Sequence, residues 1–88
     1  MKAHNCTIIT TDLLASNPLV NFVSQEIYTD TEDFIFAGWL RYMAIKADYP
    51  NARYIPDQKC VMVFIGKTLV YFSQLQFIGE EVIIPDEE

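Results

Sequence analysis

"CVMVFIGKTLVYF", residues 60 to 72, is the stretch on which the fold turns. Two apolar runs, Cys60–Ile65 and Thr68–Phe72, flank the pair Gly66-Lys67. A strand running into Gly-Lys-Thr is also how a phosphate-binding P-loop finishes. That motif needs a glycine five positions before Gly66, so that successive backbone N–H groups can curl around the phosphates. Val61 occupies the position, and a β-branched residue cannot take the glycine's conformation. Met62 to Ile65 belongs to the unbroken apolar run and supplies no loop. A Gly-X pair between two strands predicts instead a tight hairpin whose first turn residue has positive φ. Because every position of Cys60–Ile65 is apolar, the strand is expected to be buried on both faces. Either the sheet is covered twice, or a second subunit covers the free face.

Working outward toward the C-terminus, Gly79-Glu80 predicts a second turn before a strand at Val82-Ile83-Ile84, which completes a β-meander. Pro85 stops it, and Asp86-Glu87-Glu88 reads as a solvated tail. On the N-terminal side, Arg53-Tyr54-Ile55 reads as a strand start or a loop, and Pro56-Asp57 as a turn. Thr29-Asp30-Thr31-Glu32-Asp33 is a helix start, with Thr29 and Glu32 matching a capping box and acids where a helix N-terminus favours them. The helix runs to about Lys46 and is ended by Pro50 and Asn51. Its Phe36, Leu40, Met43 and Ala47 recur at helical spacing, widened by Ile35, Trp39 and Tyr42, and predict the core-facing stripe.

Leu19, Phe22, Val23, Glu26 and Ile27 also fall at helical spacing, with Pro18 suited to a first turn, so Pro18–Ile27 is expected to be a short helix. Before it, Asp12 or Thr11 would cap a helical turn through Leu13 and Leu14, interrupted at Ser16-Asn17-Pro18. Cys6–Thr10 is β-branched and suits a short strand. These elements predict an α+β fold: two helices packed on a three- to four-stranded, mainly antiparallel sheet with a C-terminal β-meander. Eighty-eight residues allow one such domain, residues 1–88, with the acidic tail starting near 86.

Composition narrows the function. Hydrophobic residues make up 51% of the chain, more than a core of this size absorbs, so an apolar surface patch is expected. No segment reads as a secretory signal or a membrane span, and a cytoplasmic location follows. Cys6 and Cys60 fit neither a disulfide framework nor zinc spacing, and His4-Asn5-Cys6 alone does not make a metal site. No cofactor is implied. His4 is the single histidine, neither cysteine sits in an activating motif, and the carboxylate pairs lie beside turns, where acids serve caps and solubility. Pro56-Asp57-Gln58-Lys59 shares residue types with a fragment of a metal-dependent nuclease motif but lacks its second acidic element. No enzyme is expected.

Charge gives the leading reading. Twelve acids against six bases leave a net charge of −6, with the acids toward both ends of the chain and most bases between 41 and 67. Asp30, Glu32, Asp33, Glu80, Glu81, Asp86, Glu87 and Glu88 are the candidate partner-binding residues. Carboxylates held on a helix start and a strand turn suit a small acidic, non-catalytic interaction module. It would dock as an inhibitor or regulator on the basic, nucleic-acid-binding surface of a partner protein. A virus or mobile element countering a host enzyme is the kind of source such a chain suits. The competing view is that acidity only keeps an apolar chain soluble. The alternative function is a structural or oligomeric subunit, possible as a homodimer, using an exposed apolar sheet face. A further alternative is weak single-stranded nucleic-acid binding through 41–67, where Arg41, Tyr42, Lys46, Tyr49, Arg53 and Tyr54 interleave bases with aromatics.

Overall fold

The hairpin forms as its residues require. Ile65 pairs with Thr68, and Gly66 between them has φ of 62°. The structure is a computed structural model that describes residues 2–15 and 19–85. In chain order the elements are β1 (Lys2–Asp12), β2 (Leu19–Tyr28), α1 (Thr31–Asp48), β3 (Ala52–Pro56), β4 (Cys60–Ile65) and β5 (Thr68–Ile83). The strands build one antiparallel sheet in the order β2-β1-β5-β4-β3, and α1 packs on one face of it. The α+β class is as expected. The element count is not: there is one helix among the described residues, against five strands.

The missing helix is β2. In place of the helix expected over Pro18–Ile27, the described part of that segment, from Leu19, pairs with β1 through Thr10↔Phe22 to His4↔Tyr28. Its residues satisfy two periods at once. Val23, Gln25 and Ile27 alternate with Ser24, Glu26 and Tyr28, and a neighbouring strand with unpaired N–H and C=O groups decides in favour of the ladder. No helical turn forms at Leu13–Leu14 either, where the Asp12 carboxylate accepts a 3.0 Å hydrogen bond from the Leu14 N–H in an Asx turn. The expected break at Ser16-Asn17-Pro18 lies outside the described residues, as does the tail Asp86, Glu87 and Glu88.

The second turn is also absent. β5 runs straight through Gly79-Glu80, pairing with β4 over its first half and with β1 as far as Lys2↔Ile83. Gly79 serves a bulge, where the register slips between His4 and Cys6. A Cβ there would come within 3.1 Å of the Asn5 carbonyl, so the glycine permits close backbone approach and not a reversal.

The helix sits the other way round from its expected face. Phe34, Gly38 and Ile45 are buried against the sheet, while Phe36, Leu40, Met43 and Ala47 are exposed, with Trp39 beside them. The reason lies at Gly38. A Cβ at that position would stand 2.7 Å from Val61 Cγ2 and 3.1 Å from the Tyr54 hydroxyl, so the helix can approach the sheet only over this residue. The true contact spine, Phe34-Gly38-Arg41-Ile45, holds a glycine and an arginine that hydropathy counting scores against. Beneath it lie two linked clusters, one of Cys6, Ile8, Phe34, Val61 and Leu75, the other of Ile45, Ala52, Val63 and Val70.

β4 is covered on one face only. Val61 and Val63 are fully buried under α1, and Met62 and Phe64 are half-buried on the reverse. The register carries that reverse face across the sheet through Ile55, Met62 and Phe72 to Ile9 and Val23, and on to Phe77 and Ile27. No helix among the described residues is long and apolar enough to cross a membrane.

Candidate functional site

Topology brings two of the acidic clusters together. Tyr28, His4 and Glu81 lie in one row across β2, β1 and β5, which places Glu81 about 10 Å from Tyr28 at the usual strand spacing. The helix begins three residues after Tyr28, so Asp30, Glu32 and Asp33 sit at the same end of the sheet as Glu80 and Glu81. Lys2 pairs with Ile83 at the acidic end, whereas three of the six bases, Lys46, Arg53 and Lys67, lie toward the far end of α1, roughly 27 Å away along an 18-residue helix. There Lys46 stands over the Tyr42 ring, and Arg53 donates to the Gly66 carbonyl at 3.1 Å beside Lys67 in the turn.

The acids differ in what they are free to do. Asp30, not Thr29, is the N-cap, accepting from the Asp33 N–H at 3.1 Å. Asp33, not Glu32, reaches back to Thr29, accepting from its N–H at 2.8 Å and from its hydroxyl. Those two bonds from Thr29 hold the Asp33 carboxyl below the usual aspartate range. The reciprocal cap is therefore shifted one residue along, and Asp30 and Asp33 are occupied by it. Glu32, Glu80 and Glu81 are exposed and make no ion pair among the described residues. They are the acids available to a partner.

Between α1 and the β2-β1-β5 part of the sheet lies an open cleft of about 300 Å³ that no sequence signal announced. The helix covers β3 and β4 more closely than β1 and β2, and the gap is floored by alternate strand residues. Arg41 closes one end with a forked ion pair to Asp12, Nε to Oδ2 at 2.8 Å and Nη2 to Oδ1 at 3.1 Å. The buried Thr10 and Ser73 hydroxyls meet at 3.1 Å. Tyr71 bonds to Ser73, and burial raises its phenol above the ordinary value. Burial pushes Tyr28 up to about 12, helped by the nearby Glu26 carboxylate. Asp12 and Arg41 are 29 residues apart, and only the fold makes them a pair. Ser24, Glu26 and Tyr28 carry a sequence signal of their own, the period-two alternation of a strand's second face.

A second hollow of about 290 Å³ at the acidic end is lined by His4, Cys6, Tyr28, Asp30, Thr31, Leu75 and Ile78. Burial raises the thiols of Cys6 and Cys60, so neither is poised as a thiolate. Of the residues proposed to stack on nucleic acid, Tyr42 and Tyr54 stack on each other at 5.2 Å, and Tyr54 donates to the Ile35 carbonyl at 2.6 Å. Arg41 is engaged by Asp12. No family model matches the chain, and no curated protein or solved structure matches it either.

Proposed function

We propose that the chain is a non-catalytic interaction module that docks, as an inhibitor or regulator, on a basic, nucleic-acid-binding surface of a partner protein. The observation that carries this reading is the convergence of Glu32, Glu80 and Glu81 with the capped Asp30 and Asp33 at one end. Lys46, Arg53 and Lys67 lie at the other end. Carboxylates on a capped helix and a paired strand have fixed spacing, so little ordering entropy is lost when a basic surface meets them, and the gathered negative charge steers the encounter. Protonated thiols and a neutralised Arg41 suit binding better than nucleophilic or electrostatic catalysis. The test is charge reversal at Glu32 and Glu81, which leaves the helix cap intact. Affinity for a partner captured with the unmodified chain should fall at least tenfold in the Glu32→Lys/Glu81→Lys variant and fall with added salt. Affinity unchanged by both would overturn the reading.

A second reading, an oligomeric subunit, is favoured by one specific feature. The sheet face away from α1 leaves Val23, Ile27, Ile55 and Phe77 exposed, interspersed with Thr7, Gln25 and Gln74, and a second copy could cover it.

A further inference from the structure

The cleft under α1 has a composition that selects one kind of occupant. Its walls are aromatic, with Tyr28, Phe34 and Tyr71 contributing rings, and its polar floor is Ser24, Thr10 and Ser73. Its charges are Asp12, Glu26 and Arg41, which sum to −1. Asp12 and Arg41 neutralise each other through their fork, so Arg41 has little left for an anion. Glu26 is the remainder: it lies on the cleft wall, exposed at its lip, with no ion pair or hydrogen bond among the described residues. At about 300 Å³ the cleft lies at the bottom of the range for small-molecule sites, roughly 300–1,000 Å³. One long side chain fits that space better than a larger ligand.

We propose that this cleft seats an arginine side chain of the basic partner, its guanidinium paired with Glu26 and packed against Tyr28 and Tyr71. A guanidinium is planar, is weakly hydrated and carries five donors. It suits a pocket offering one carboxylate, several hydroxyl oxygens and aromatic rings better than a compact ammonium does. The inference rests on the reading of the partner as basic and adds to it a defined socket, next to the acidic end, that converts general attraction into register.

N-acetyl-arginine amide is the probe, titrated at low salt into the full chain while backbone and tyrosine ring signals are followed by NMR. Saturable shifts should centre on Glu26, Tyr28 and Tyr71. The neutral isostere N-acetyl-citrulline amide should bind at least tenfold more weakly. Glu26→Gln should weaken the arginine probe about tenfold. Ala37→Leu, at an exposed helix position lining the cleft, should abolish binding by filling it. Equal binding of arginine and citrulline probes, insensitivity to both substitutions, or no saturable shift would each overturn the socket. Shifts centred on Glu32 and Glu81 with Glu26 unmoved would overturn it while leaving the acidic-end reading in place. Cleft binding that persists when Glu32→Lys/Glu81→Lys fails to alter partner affinity would remove that reading alone.

Discussion

Beneath α1 the central strands present Cys6, Ile8, Thr10, Asp12 and Ser73; on the reverse of the same strands stand Ile9, Phe72 and Phe77. The covered face thus holds hydroxyls and a carboxylate beside Ile8 and Leu75, while the uncovered face leaves large apolar side chains among Thr7, Thr11 and Gln74. The helix repeats the contrast, with Gly38 and Arg41 inside and Phe36, Trp39 and Leu40 outside. On the helix, the buried face follows from how closely the two backbones can approach at Gly38 as well as from apolarity. The polar groups that closeness encloses are matched to one another, Asp12 with Arg41 and Thr10 with Ser73. The apolar surplus is left outward, where it is available for contact with another surface.

The contrast is broken most sharply by one substitution made on each side of the helix. Phe34 is 2% exposed and Phe36 is 57% exposed. Phe34→Ala should cost about 3–5 kcal/mol, a large part of the ~5–15 kcal/mol that holds a typical domain together. Phe36→Ala should change stability by no more than about 0.5 kcal/mol. Urea titration of the two variants measures both. Equal losses would mean that Phe36 is as buried as Phe34.

Next in size is the enclosed ion pair. Asp12→Ala leaves the Arg41 guanidinium part-buried without its carboxylate and should cost about 1–3 kcal/mol. Replacing both, as Asp12→Ala/Arg41→Met, should recover much of that loss, because the penalty lies in the orphaned charge. Additive losses in the double variant would show that the two residues act separately.

The covered face should also fail in alkali. Burial holds the phenols of Tyr28 and Tyr54 at about 12, against an ordinary value of 10. The folded-state values are raised, so the unfolded chain gives up these protons first. Stability is whole below pH 10 and declines as pH rises from 10 toward 12. Phenolate absorbance should therefore appear together with loss of the circular dichroism signal. Independent titration of every tyrosine near pH 10, with the fold intact, would contradict the burial.

The smallest effect on the single chain is expected on the open face. Phe77 is 63% exposed, and Phe77→Ser should leave unfolding within about 0.5 kcal/mol of the parent at low concentration. If a second copy covers the face, the same substitution should lower the mass measured in solution at high concentration. A parent chain that stays monomeric there would remove the oligomeric reading and leave the face to another partner.

Local chemistry was enough for the elements whose signals need no distant partner. Gly66-Lys67 between two apolar runs has one good solution, a tight turn with positive φ at the glycine, and it is the one observed. The acids at 30–33 marked a helix start for the same reason, since orphan N–H groups there need acceptors whatever the rest of the chain does; the structure moves the cap by one residue only. Tertiary structure decided whatever depended on a neighbour. Residues 19–28 satisfied helix and strand periods alike until β1 offered an edge. Gly79 reads as a turn in isolation and became a bulge because Asn5 lies against it. The helix took its inner face from Gly38, since the closest approach to Val61 belongs to the residue with no side chain and not to the most hydrophobic one. The cleft and the gathering of acids at one end have the same origin: Asp12 and Arg41 become a pair, and Glu81 and Asp30 come to the same end of the sheet, only once the sheet order is set.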